Sequence, residues 1–153
     1  MEYLKIKNIR RLILLMLTYG LILPAVSQQV AHRQIDPSDP TFRAKYDTLN
    51  MGEKFVILVE KDEVNRYYIA DFSKLSGKFE KVYFLNLVFK QGKVVNIDPD
   101  INKEKIWFLS NNKYTEKDII SLMNDFREQA VIANKSYTKE EKEVWMNQND
   151  KYK

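Results

Sequence analysis

Asp98, Asp100, Asn102 and Glu104 alternate through the stretch IDPDINKE, and their types and spacing come nearest to a reactive site in this 153-residue chain. Alternating carboxylates and an amide, D-x-D-x-N, open a calcium loop, where hard oxygen ligands gather around a divalent ion. The likeness ends early. Lys103 stands where such a loop turns on Gly, and Leu109 stands where it closes with a bidentate Glu. Two carboxylates held close together would also suit general acid–base cleavage of a glycosidic bond. That use requires Asp98 or Asp100 to keep a proton near neutral pH, so one of the two must have a raised pKa. The plainer reading is an acidic, proline-stiffened loop between two strands.

Other chemistries lack their residues. The single histidine, His32, lies in a polar stretch with no packing to hold it beside a nucleophile, and there is no cysteine. A zinc site built from Cys and His is therefore excluded. The four glycines, Gly20, Gly52, Gly77 and Gly92, are too far apart to form a phosphate-cradling loop. No cofactor and no metal are expected. Two short acceptor triplets occur, Asn134-Lys135-Ser136 for N-glycosylation and Asp47-Thr48-Leu49 for O-glycosylation, and patterns this short arise often by chance.

The elements that must position any site begin after a leader. Lys5, Lys7, Arg10 and Arg11 precede an apolar run from Leu12 to Leu23, and Pro24 and Ala25-Val26-Ser27 follow. This is the layout of a secretory signal, with cleavage expected near residue 27. The run is shorter than the roughly 20 apolar residues of a spanning helix. An uncleaved N-terminal anchor is the alternative. Residues 1–27 hold four of the 25 basic and one of the 21 acidic residues, which leaves 21 and 20 in the remainder, a net charge of +1. The basic balance of the whole chain thus belongs to the leader, and the rest lacks the positive face that nucleic-acid binding needs. Export to the periplasm or the medium is expected. A chain of this size can bury a core without disulfides.

Residues 28–53, which include IDPSDP, read as a polar, extended or turning lead-in or linker. Residues 54–134 read as a sheet followed by a main helix. Five strands are expected from FVILVE, NRYYIADF, FEKVYFLNLVFK, VVNI and KIWFLS, with short connections that favour antiparallel pairing. The third, apolar on both faces, reads as the central strand. Thr115 and Asp118 form a capping box that opens a helix with Ile119, Leu122, Met123, Phe126, Ala130 and Ala133 on one stripe. Thr138 and Glu141 repeat the pattern and open a short second helix in residues 135–153, bearing Val144 and Trp145. The expected class is α+β, an antiparallel sheet of about five strands with one long and one short C-terminal helix.

Aromatic neighbours such as Tyr67-Tyr68 and Trp107-Phe108 point to opposite faces of a strand, so both faces of the sheet carry apolar surface. One face can take the helix. The other must be covered by the lead-in, a partner or a ligand. Ile35, Phe42, Tyr46, Leu49, Tyr67 and Trp107 are the candidate partner-binding residues. The functional expectation is a non-enzymatic protein-binding adaptor or accessory subunit of a bacterial envelope or surface assembly. Two alternatives stand beside it: a carrier of an apolar small molecule in a curled sheet, and a carboxylate-dependent hydrolase of cell-wall or glycan material.

Overall fold

A computed structural model describes residues 39–98 and 100–149. The proposed leader, His32 and Ile35 lie outside the described residues.

The fold is α+β. Helix α1 (Pro40–Asp47) leads into the hairpin β1 (Val56–Lys61) and β2 (Asn65–Asp71). A 3-10 turn (Phe72–Lys74) and helix α2 (Gly77–Gln91) follow, then β3 (Val94–Ile97) and β4 (Lys105–Asn111). Helices α3 (Glu116–Ser136) and α4 (Lys139–Asn149) complete the described chain. The sheet has four strands in the order β1-β2-β4-β3, with every neighbouring pair antiparallel. Strands β2 and β3 both flank β4 and run parallel, and the chain passes between them through α2.

The expected central strand is therefore a helix, and the strand count is four rather than five. FEKVYFLNLVFK forms the body of α2. Its apolar residues fail to make one stripe because α2 is covered on several sides. Val82, Phe84, Leu85 and Val88 are buried between the sheet and the other helices, while Phe79 and Tyr83 meet Trp145 of α4 at ring-centroid distances of 5.4 and 5.0 Å. A helix apolar all round is a buried helix, and in a short window its pattern matches that of a buried strand. The helix ends at Gly92, whose φ of 63° is the left-handed conformation that stops a helix without a Cβ clash. Its start is fixed by Glu80, which accepts the backbone N–H of Ser76 at 2.6 Å and the side-chain amide of Asn134 in α3 at 2.7 Å. The glutamate is buried, and these two bonds supply its polar partners.

The long C-terminal helix stands as the sequence predicts. Thr115 and Asp118 make the reciprocal capping box, and Ile119, Met123, Phe126, Ala130 and Ala133 form the buried stripe. At the head of α4, the Glu141 carboxylate accepts the Thr138 backbone N–H, and the Thr138 hydroxyl accepts that of Glu141. The core lies between the sheet's inner face and helices α2 and α3. Phe55, Tyr68, Phe72, Phe84 and Phe108 fill it, with edge-to-face contacts from Phe84 to Phe55 and Phe72. No helix among the described residues is long and apolar enough to cross a membrane.

Candidate binding face

The opposite, outer face of the sheet is where the candidate residues meet. The sequence Asp39-Pro40 begins α1, although Pro-rich chain here suggested an extended lead-in. Asp39 caps the helix by accepting the Thr41 N–H at 2.8 Å, and Pro40 sits in the first turn, where its missing N–H costs nothing. Phe42 and Tyr46, one turn apart, face the sheet together, with ring centroids 4.6 Å apart. Tyr46 and Met51 are buried against Ile69 of β2, and Phe42, Leu49, Ile57, Val59 and Trp107 pack around them partly exposed. Phe42 also meets Tyr67 edge-on at 6.0 Å. Of the six residues proposed from sequence as partner contacts, Phe42, Tyr46, Leu49, Tyr67 and Trp107 gather on this face, and Ile35 falls outside the described residues. Tyr46 and Tyr67 are buried, whereas Phe42, Leu49 and Trp107 still present surface.

Three polar ties hold α1 in place. The Tyr46 hydroxyl donates to Glu60 at 3.0 Å. Lys105 Nζ donates to the carbonyls of Asp47 and Leu49, at 2.5 and 2.7 Å, so a cation sits at the negative end of the short helix. Arg43 Nη2 lies 3.1 Å from the carboxylate of Asp98.

That last bond decides the fate of the acidic loop. Asp98 is buried, and the same oxygen that takes Arg43 takes Lys103 Nζ at 2.9 Å. Its other oxygen accepts the Asp100 N–H at 3.2 Å. Asp98 therefore joins α1 to the loop and is neutralised by the protein's own cations. Asp100 accepts the Asn102 N–H at 3.0 Å and has Lys103 Nζ 3.4 Å away. Its pKa is lowered, first by the Asn102 backbone bond and then, against a small opposing effect of burial, by Lys103. This is the reverse of the direction an acid catalyst needs. Among the described residues no three His, Cys, Asp or Glu side chains converge as a metal site. Beside the loop, Arg43, Asp47, Lys103, Glu104 and Lys105 line an open groove of about 360 Å³ in which both signs of charge alternate.

The β1–β2 turn, where an acidic turn is expected from K-D-E and D-E-V-N, is organised by Asp62 as an acceptor at its head. Its carboxylate accepts the N–H groups of Val64 and Asn65 at 2.8 and 2.7 Å and the Tyr67 hydroxyl at 2.7 Å. Partial burial opposes ionisation, and these bonds outweigh it, so the pKa is lowered. Tyr67 responds in the opposite sense: burial and the bond to Asp62 push its hydroxyl pKa well up.

The acceptor triplets are placed differently. Asn134 lies within α3 with its amide engaged by Glu80, whereas Thr48 is exposed directly after α1. Comparison of the chain with protein-family models, curated proteins and solved structures finds no match.

Proposed function

We propose that the protein is an exported, non-enzymatic binding protein, an adaptor or accessory subunit of a bacterial envelope or surface assembly, and that it receives a protein partner on the outer face of the sheet. One observation carries the reading. Phe42, Leu49, Ile57, Val59 and Trp107 remain partly exposed around the buried centre formed by Tyr46, Met51 and Ile69. Aromatic and aliphatic side chains grouped around a packed centre, with charged residues at the edge, are the composition of a protein-docking patch. The proposed export rests on the charged, apolar and small-residue pattern of residues 1–27.

The two alternatives find less support. A carrier would need a hollow between sheet and helices, and that layer is occupied by fully buried Tyr68, Phe72, Phe84 and Phe108. A carboxylate hydrolase would need a proton-holding acid, and Asp100 is held ionised while Asp98 is bridged by two cations.

The test is to purify the full chain, tagged at its C-terminus, gently from its own host, beside the variants Val59→Asp and Trp107→Ser. The expected result is a stoichiometric protein companion that is lost from both variants while their far-ultraviolet spectra stay unchanged. A chain that runs alone, or a companion that the variants retain, would overturn the proposal.

A further inference from the structure

Threonine is β-branched and fits a helix interior poorly, so near helices it is expected at the start, where its hydroxyl can cap. Thr41, Thr115 and Thr138 follow that rule. The Thr41 hydroxyl donates to Asp39 at 2.7 Å, and those of Thr115 and Thr138 each accept a backbone N–H at 3.2 Å, from Asp118 and Glu141. Thr48 breaks the rule. It stands at the C-cap of α1, where no helix N–H is left for a hydroxyl to satisfy. The residue is exposed, and its hydroxyl has no hydrogen bond among the described residues. The fold thus gives Thr48 no bond to make and no core to fill.

The backbone around it is nonetheless fixed. Lys105 Nζ donates to the carbonyls on either side, those of Asp47 and Leu49. Asp47 is exposed and lines the open polar groove beside the acidic loop. Leu49 is partly buried at the margin of the outer face. Asp47-Thr48-Leu49 is also the O-glycosylation acceptor triplet of the sequence. A pattern of three residues arises by chance, and its placement in the fold decides whether it can be used. The N-glycosylation triplet shows the contrast. The Asn134 amide donates to the buried Glu80 at 2.7 Å, so a sugar on Asn134 would strip that carboxylate of a partner. The Thr48 hydroxyl can be modified with no such loss.

We propose that Thr48 is an O-glycosylation site, with Asp47 and Leu49 as the flanking residues that a glycosyltransferase reads. The co-substrate class is a sugar carried on a diphosphate. A bond forms between Thr48 Oγ1 and the anomeric carbon of the sugar. The bond from that carbon to the diphosphate breaks, the diphosphate leaves with the electron pair, and the hydroxyl proton passes to a base of the transferase. Leu49 packs on the sheet, so the triplet is read while α1 is open, and a helix of eight residues is unstable on its own. The sugar then borders the apolar margin of the outer face without covering it. The inference rests on the proposed export, which brings the chain to such an enzyme.

The test is mass spectrometry of the full chain purified from its own host, beside Thr48→Ala, Thr48→Ser and Asp47→Asn made in that host. Thr48 is exposed, so these variants are expected to keep the far-ultraviolet spectrum of the parent. Trypsin releases residues 46–54, between Lys45 and Lys54, and that peptide holds no other Ser or Thr. The expected result is a peptide heavier by one or more sugar residues, with fragment ions that place the addition on Thr48. The addition should be absent from Thr48→Ala, kept in Thr48→Ser and lost from Asp47→Asn. An unmodified peptide, or an addition that Thr48→Ala retains, would refute the site. An addition that Asp47→Asn retains would refute the triplet as what the enzyme reads. The intact mass separates this outcome from the export reading. A chain that starts near Gln28 and carries no sugar refutes the site alone, whereas a sugar-free chain that keeps residues 1–27 refutes the export reading with it.

Discussion

On its inner face the sheet meets two long helices, and among the described residues eighteen buried ones fill the layer between them; on its outer face an eight-residue helix covers a centre of three buried residues, with a partly buried apolar margin. The two faces belong to the same strands and are served by adjacent residues: Tyr68 and Phe108 look inward, Tyr67 and Trp107 outward. The difference lies in what holds each cover. Helices α2 and α3 are held mainly by apolar volume, with the tie from Asn134 to the buried Glu80 between them. Helix α1 is held by Phe42 and Tyr46 together with the bonds of Arg43, Tyr46 and Lys105. An isolated helix of eight residues is unstable in water, so α1 exists only while those contacts persist. The inner face therefore sets global stability, and the outer face can open locally without unfolding the rest.

The largest expected effect tests the inner face. Phe84→Ala empties a fully buried position in α2 and should cost about 3–5 kcal/mol in urea unfolding, whereas Phe42→Ala, at a half-exposed position, should cost about 1 kcal/mol or less, nearer the surface range. Equal losses would break the comparison. Next comes the polar tie. Asp98→Ala strands Arg43 and Lys103, and it should lower stability by about 1–2 kcal/mol while making the segment around Arg43 the first site of limited proteolysis. Asp98→Asn should cost less, because it keeps an acceptor. The smallest effect is a dependence on pH. Asp62 and Asp100 both have folded-state pKa values below the ordinary carboxylate value. Their contribution is complete above the unfolded-state pKa, near 4, and is lost as pH falls through the lowered folded values. Acid titration of the unfolding midpoint should show this loss only below about pH 4, reduced in Asp62→Asn.

Much of this architecture was legible in the chain. The box of Thr115 and Asp118 and the stripe from Ile119 to Ala133 gave α3 because cap and period agree. β1, β2 and β4 were legible from short β-rich runs between turn residues. Helix α2 was not, since Val82, Phe84, Leu85 and Val88 are buried on several sides and leave no polar face to reveal a period. Its length was the available signal: twelve apolar-dominated residues are long for a strand, and Gly92 supplies a helix stop. Helix α1 was hidden for another reason. Asp39-Pro40 reads equally as a turn or as a helix start, and the choice is made by packing on strands distant in sequence. The candidate face was partly legible. Alternation separated Tyr67 from Tyr68 and Trp107 from Phe108 without saying which faces outward, and the i, i+4 spacing of Phe42 and Tyr46 was available. The role of Asp98 depends on a partner brought close by folding, Arg43, 55 residues away in sequence, whereas Asp62 is met by Val64, Asn65 and Tyr67 from its own turn and strand.

Native-state hydrogen exchange, read amide by amide, tests the contrast of the two faces most directly. The account predicts that the amides of Ala44–Asp47 in α1 exchange through a local opening of low free energy that hardly depends on denaturant, while those of α2, α3, β2 and β4 exchange only with global unfolding. Protection of α1 equal to that of α2 and α3, and lost together with them, would contradict it.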